Sequence, residues 1–260
     1  MTFGRVFVFF SIRLSRALLT AFSLAVLGAL CVTIFLSTSG GKTSEASARA
    51  VSQQSKAVYL TFDDGPSDNT AAVLDALERH GVRATFFVTG QRPDRFDMLA
   101  REAEAGHLVA LHSYSHDFQN IYKSSGAFWE DIEQLKEVIK AQTGESAPVL
   151  RFPGGSSNTI ARRGVMKSLA EECSQRGYAY FDWNVDTRDA VGSTKSADYI
   201  AERAVKGALR EHTPVILMHD GPMNSTAADA LDIIIPALKD KGLVFATLDE
   251  LAQPVHHSLN

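Results

Sequence analysis

The chain carries side chains suited to hydrolytic chemistry, and they come in clusters. The stretch HSYSH sets His112 and His116 four residues apart, close enough for both imidazoles to reach one cation. Asp64, in the acidic pair Asp63-Asp64, can add a carboxylate. Two imidazoles and one carboxylate leave coordination positions open for water and substrate, as in catalytic zinc sites. The same trio also serves non-haem iron, so the ligand set alone leaves the metal open. A zinc-type ion lowers the pKa of bound water towards about 7 and polarises a carbonyl oxygen. Hydrolysis of an amide or ester further needs a base and an acid, for which Asp63 and His219 are the candidates. Arg151 can pair with Asp63 and keep it ionised. Asp189 can orient either Arg151 or His219. A plain structural reading stands beside each of these. Asp-Asp-Gly is also a turn in which one aspartate caps the next helix, and a strand-end histidine is also a packing residue.

The elements that must position these groups alternate along the chain. Short apolar runs predict strands over 57–62, 84–89, 108–112, 149–152, 178–183, 214–219 and 243–247. Between them, amphipathic patterns predict helices over 69–80, 94–105, 125–142, 160–176, 197–211 and 226–241. Alternation of this kind builds a parallel sheet from βα units, either open or closed into a barrel. Asp63-Asp64 follow the first predicted strand, His112 ends the third and Arg151 the fourth. Asp186 and Asp189 follow the fifth, and His219-Asp220 end the sixth. In parallel α/β folds the C-terminal strand ends form one rim, where active sites sit. Residues far apart in the chain are therefore expected to meet there.

The segments TFDDGPS (61–67), HSYSH (112–116), RFPGG (151–155), DTRD (186–189) and ILMHD (216–220) resemble, in order and placement, the motifs of the polysaccharide deacetylase family. This is the NodB-homology domain of carbohydrate esterase family 4, and the likeness runs over residues 57–252. The flanking YFDWNVD (180–186) is most similar to the bacterial peptidoglycan deacetylase branch. The resemblance implies an α/β fold, a distorted (β/α)7 barrel. It implies Asp63 as base, His219 as acid, and Asp64, His112 and His116 as ligands of one divalent ion, zinc first, with cobalt, nickel or manganese also admitted. Ser113 then orients a ligand histidine, Arg151 tethers the base, Asp189 is the acid of the fourth motif, and Leu217 forms the wall for an acetyl methyl.

Two positions depart from the family pattern. Gly154 stands where an aromatic residue is common, retaining only the backbone N–H for an oxyanion, and Ala190 stands where a tryptophan often lines the groove. Trp183 is a candidate sugar-stacking face or a core residue, and Tyr114 lines the groove or packs beneath it. The implied reaction is removal of N-acetyl groups from an extracytoplasmic glycan, peptidoglycan first. Attack is by a metal-bound water, with Asp63 as base and His219 as acid. O-acetyl xylan and chitin are the alternative substrates, and a glycan-binding protein without catalysis is the alternative of another class. The complete set of base, ligands and acid argues against the last.

The rest of the chain says where such a domain would work. Residues 17–36 are twenty in a row without charge, near the length a helix needs to cross a hydrocarbon core about 30 Å thick. Arg5, Arg13 and Arg16 precede them, which puts residues 1–16 in the cytoplasm and the remainder outside. The run is long for a cleavable signal, so a single-pass anchor in the cell membrane is expected, with secretion after cleavage as the alternative. Residues 37–56 read as a polar linker, 57–252 as the catalytic domain, and 253–260 as a polar tail with His256 and His257 in solvent. The totals are 26 basic and 30 acidic residues. With Arg5, Arg13, Arg16, Lys42, Arg49 and Glu45 set aside, residues 51–260 hold 21 and 29, a formal charge of −8. That balance argues against nucleic acid as a partner. No disulfide is expected between Cys31 and Cys173, and no obligate protein partner. His80, His107 and His212 read as surface or capping residues, and Asp186 and Asp220 either as turn residues or as supports behind the site.

Overall fold

A computed structural model describes residues 56–146 and 148–259. The expected anchor at 17–36 and most of the linker lie outside them. Among the described residues no helix is long and apolar enough to cross a membrane.

The chain alternates as expected: β1 (Ala57–Asp63), α1 (Thr70–His80), β2 (Thr85–Thr89), α2 (Asp97–Glu104), β3 (Leu108–Ser113), α3 (Phe118–Ile121), α4 (Ser125–Thr143), β4 (Val149–Leu150), α5 (Val165–Gln175), β5 (Ala179–Tyr180), β6 (Val185–Asp186), α6 (Ala197–Ala208), β7 (Val215–His219), α7 (Ala227–Lys239) and β8 (Val244–Phe245). Every strand pairing is parallel, in the order β5-β4-β3-β2-β1-β7-β6, with β8 against the start of β1. The short α3 was not expected; Asp117 caps it by accepting from the amides of Gln119 and Asn120.

Successive strand residues point to opposite faces, and the apolar side chains sort accordingly. Leu60, Phe62, Phe86, Val88, Leu111, Ile216 and Met218 join the core beneath the helices. Tyr59, Phe87, Ala110, Val149 and Val215 fill the inner face of the curled sheet, with Phe181 and Leu248. Each fully buried side chain of this size contributes about 1.5–3 kcal/mol of transfer free energy. The same parity carries Thr61 and Asp63, His112, Arg151, Leu217 and His219 to the inner face.

One predicted strand is cut short. Of the strand expected over 178–183 only β5 forms, against β4; the next strand, β6, lies beyond that range and pairs with β7. Residues 181–184 cross between the two ends of the sheet: Phe181 N donates to the Leu150 carbonyl at 2.9 Å and Asn184 N to the Val215 carbonyl at 3.2 Å. The ladder breaks here because the carbonyls of Phe181 and Asp182 are taken by the side chain of Arg151, at 3.0 and 3.1 Å, and not by a neighbouring strand.

Three further expectations are corrected. Residues 255–257 are bound to this crossing segment through backbone and ring contacts, so the C-terminal stretch belongs to the domain and His257 is half-buried. His107 is no surface residue: its Nδ1 accepts from Ala84 N at 3.1 Å, and burial pulls its pKa down to about 4. Asp220, for which a turn was the plainer reading, is completely buried, and its carboxylate accepts from Thr70 Oγ1. Cys173 is buried, as expected of a small core residue.

Candidate active site

Asp63 ends β1 on the inner face, and β7 pairs with it in register so that His219 is its direct partner. Arg151 is completely buried. Its Nη1 donates to Asp63 Oδ1 at 2.7 Å and to Thr61 Oγ1 at 2.8 Å. Its guanidinium lies 4.1 Å from the centroid of Phe87. Burial pushes the Asp63 carboxyl up, but the positive charge of Arg151, joined by that of His219, outweighs this and holds it below the usual carboxylate range. Asp63 is thus an ionised acid with Oδ1 engaged by Arg151, its Oδ2 standing 3.8 Å from His112 Nε2.

Beside it, three ligand-type groups converge. His112 Nδ1 lies 2.8 Å from the Arg151 carbonyl. A carbonyl only accepts, so Nδ1 carries the proton and Nε2 of the neutral ring presents a lone pair. That lone pair faces Asp64 Oδ1 at 3.6 Å, and His116 Nε2 lies 3.2 Å from the same oxygen. Asp64 Oδ1 is buried and has no hydrogen-bond partner. The three ligand atoms lie within 4.8 Å of one another. A lone pair and an orphaned carboxylate oxygen facing each other repel unless a cation lies between them, so the donor set fits a metal ion.

Asp64 and His116 both sit in strained backbone. Asp64 has φ 72° and His116 φ 51°, a left-handed conformation that costs a non-glycine residue about 1–3 kcal/mol and persists only when its surroundings enforce it. For His116 the enforcement comes from Asp131. That buried carboxylate accepts from Ser113 Oγ and Tyr114 N, each at 2.7 Å, and from Ser115 N at 2.9 Å. Ser113 Oγ in turn accepts from His116 N at 2.8 Å. Sequence reasoning found Ser113 and missed Asp131. The available signal was an acid on the buried stripe of α4, between Phe128 and Leu135.

Beside Asp64, the chain between β1 and α1 is tied to Asp220, whose N donates to the Asp63 carbonyl at 3.2 Å. The Asp220 backbone carbonyl accepts from Ser67 Oγ and its Oδ2 from Thr70 Oγ1, each at 2.5 Å. A Cβ on Gly65 would lie 2.4 Å from the Asp220 carboxylate, so only glycine passes there.

On the opposite side stands His219. Its Nδ1 and its backbone N each lie 2.8 Å from an oxygen of Asp189, which also accepts from Thr187 Oγ1 at 3.1 Å and Asn224 Nδ2 at 3.3 Å. Asp189 therefore orients His219 and not Arg151. Burial pulls the imidazole down, yet Asp189, Asp63 and Asp64 overcome it and His219 is pushed up to about 9. An ionised acid, a cation-type ligand set and a protonated imidazole share one rim.

Comparison with known proteins agrees with this geometry. The family profile described as polysaccharide deacetylase matches residues 50–171. A peptidoglycan-N-acetylglucosamine deacetylase of Bacillus cereus is 33% identical over 202 residues, 76% of this chain and 71% of that one. The chain belongs to the polysaccharide deacetylase family. Among solved structures, the catalytic domain of a peptidoglycan N-acetylglucosamine deacetylase from Eubacterium rectale superposes with TM-score 0.77 at 40% identity, covering 81% of this chain and 96% of that one. A family 4 acetyl xylan esterase from Clostridium thermocellum, in complex with a cobalt ion, gives TM-score 0.64 at 30% identity, covering 75% and 90%.

The remaining candidates of this deacetylase take up distinct places. Leu217 is buried on β7, two residues from His219 and on the same strand face. Gly154 is exposed with φ 77°, a conformation that an aromatic at this position would adopt only under strain. Ala190 is exposed beside the buried Asp189. Trp183 is half-buried; its ring edge rests against Gly155, where a Cβ would come within 3.0 Å, and the Arg151 guanidinium lies 5.6 Å from its centroid. Tyr114 packs its ring over Gly90 and against the helix-side core. Asp186 accepts from Arg188 N at 2.7 Å and shapes the turn before Asp189.

Proposed function

We propose that this domain removes N-acetyl groups from amino sugars of an extracytoplasmic polysaccharide, peptidoglycan first. The observation that carries the reading is the orphaned Asp64 Oδ1 facing two histidine Nε2 atoms, with an ionised Asp63 on one side and a protonated His219 on the other. A divalent ion held by Asp64, His112 and His116, zinc first, would supply Lewis acidity to the acetyl carbonyl and acidify a water.

The protein groups do the rest. Asp63, kept ionised and fixed through Oδ1 by Arg151, takes a proton from the attacking water on Oδ2. His219 holds a proton at neutral pH; with Nδ1 directed to Asp189, Nε2 gives its proton to the leaving amine. Acetate and a free amino sugar result. Leu217 offers the acetyl methyl an apolar wall, and a backbone N–H in the Gly154 turn offers a donor to the developing oxyanion. Residues 17–36 would hold the domain at the outer face of the cell membrane, beside such a wall.

The likeness to a family 4 acetyl xylan esterase supports a second reading, with O-acetyl xylan as substrate and the same residues in the same roles. Acetate release by the full chain from purified peptidoglycan and from acetylated xylan separates the two. Asp63→Asn is expected to abolish release while metal per chain stays at the native value; His112→Ala is expected to lose both. Native turnover in Asp63→Asn would remove the assigned base.

A further inference from the structure

Residues Val255–His257 lie along the segment that crosses between the ends of the sheet. Asp182 N donates to the Val255 carbonyl at 2.8 Å, and His257 N donates to Asp182 Oδ2 at 2.7 Å. His256 stacks on Tyr180 with centroids 3.8 Å apart, and its Nε2 lies 2.9 Å from the Tyr180 carbonyl. His257 Nε2 lies 2.7 Å from the Trp183 carbonyl, and its ring stands edge-on to the indole at 4.7 Å. Both carbonyls only accept, so each imidazole donates from Nε2.

The same segment anchors two parts of the catalytic machinery. The Phe181 and Asp182 carbonyls receive Arg151 Nε and Nη2. The Asp182 carboxylate, completely buried, accepts from Ser156 N at 2.8 Å and Ser156 Oγ at 2.5 Å, next to the Gly154-Gly155 turn. Past the last bond to β4, from Phe181 N to the Leu150 carbonyl, the peptide planes of residues 181–183 are set by Arg151 on one side and by the C-terminal residues on the other. Turning those planes would take two acceptors from Arg151, and with them the aim of the guanidinium that holds Asp63.

We propose that residues 255–257 are a strap that positions Arg151 and the Gly154–Ser156 turn for turnover, with His257 as its principal positioning residue. The proposal rests on the deacetylase reading for its kinetic effect and on geometry alone for its structural one. Asp64, His112 and His116 have no hydrogen bond to residues 255–257, and His112 meets the backbone carbonyl of Arg151 and not its guanidinium.

The test uses the full-length chain, a chain ending at Gln253, His257→Ala and His257→Gln. Supporting positions of this kind are worth about 10–100-fold in rate. His257→Ala is expected to lower kcat for acetate release about tenfold with KM within about twofold. His257→Gln, whose amide can donate to the same carbonyl, is expected to recover most of that. The shortened chain is expected to lose about 100-fold, with metal per chain unchanged in every variant. Amide hydrogen exchange at Ser156 reads the strap without turnover and is expected to accelerate in His257→Ala and in the shortened chain. Native kcat and native Ser156 exchange in both would overturn the proposal. So would a kcat loss that only tracks the unfolded fraction at the assay temperature. A native chain without activity whose Ser156 exchange still responds would sink the deacetylase reading and keep the strap.

Discussion

Arg151 Nη1 stands 2.7 Å from Asp63 Oδ1 in a buried ion pair. Arg151 serves four acceptors at once: Asp63, Thr61 and the carbonyls of Phe181 and Asp182. An ammonium cannot replace that planar fork. Arg151→Met, which leaves Asp63 buried without a partner, is expected to cost about 3–5 kcal/mol. Arg151→Lys is expected to retain the charge and lose most turnover. Urea denaturation and acetate release measure the two effects. A Met variant within about 1 kcal/mol of native would show that Asp63 is not held by this pair.

Asp131 is expected to control metal affinity without touching the metal. Removing the carboxylate frees Ser113 Oγ and two backbone amides, and with them the left-handed turn at His116. Asp131→Ala is expected to weaken zinc binding about 10–100-fold, measured by competition with a chromophoric chelator. Unchanged affinity would mean that the loop holds itself.

The alkaline limb of the pH profile is assigned to His219. With its pKa pushed up to about 9, the acid stays protonated through neutral pH, and turnover is expected to fall above that value. Asp189→Asn removes the anionic acceptor at Nδ1 and lets His219 fall towards the ordinary imidazole value of about 6.5. The limb is then expected to move down by a pH unit or more. A limb that stays put in Asp189→Asn belongs to another group.

Asp220 makes a prediction about stability. Burial pushes its carboxyl from 3.8 up to about 7, with Asp64 adding to the rise and the Thr70 hydroxyl opposing it. Between those values the folded chain keeps a proton that the unfolded chain has lost, so folding stability falls as pH rises through the window. The fall is on the order of 4 kcal/mol at most. Asp220→Asn carries no such slope. In metal-free protein the variant is expected to gain on the native chain between pH 5 and pH 8, as measured by denaturant midpoints. Parallel curves across that range would mean that Asp220 stays ionised in the fold.

Much of the site could be read from residue types and their order. Asp63, His112, Arg151 and His219 end strands, and strand parity alone sends them to one face, as it sends Phe62 and Phe86 to the other. The five motifs stand out because metal binding and proton transfer would demand particular side chains at particular strand ends. What holds those side chains was decided only by packing. Asp131 reads as one more helix acid until α4 is laid against β3. Asp182 and His257 read as strand and tail until the chain crosses between the sheet's ends and leaves carbonyls that no strand satisfies. Asp189 had two possible partners until the turn at Arg188 brought it to His219. Local sequence sets periodicity and side-chain chemistry, whereas the direction of a hydrogen bond between residues a hundred positions apart exists only once the sheet has curled and brought them within three ångströms.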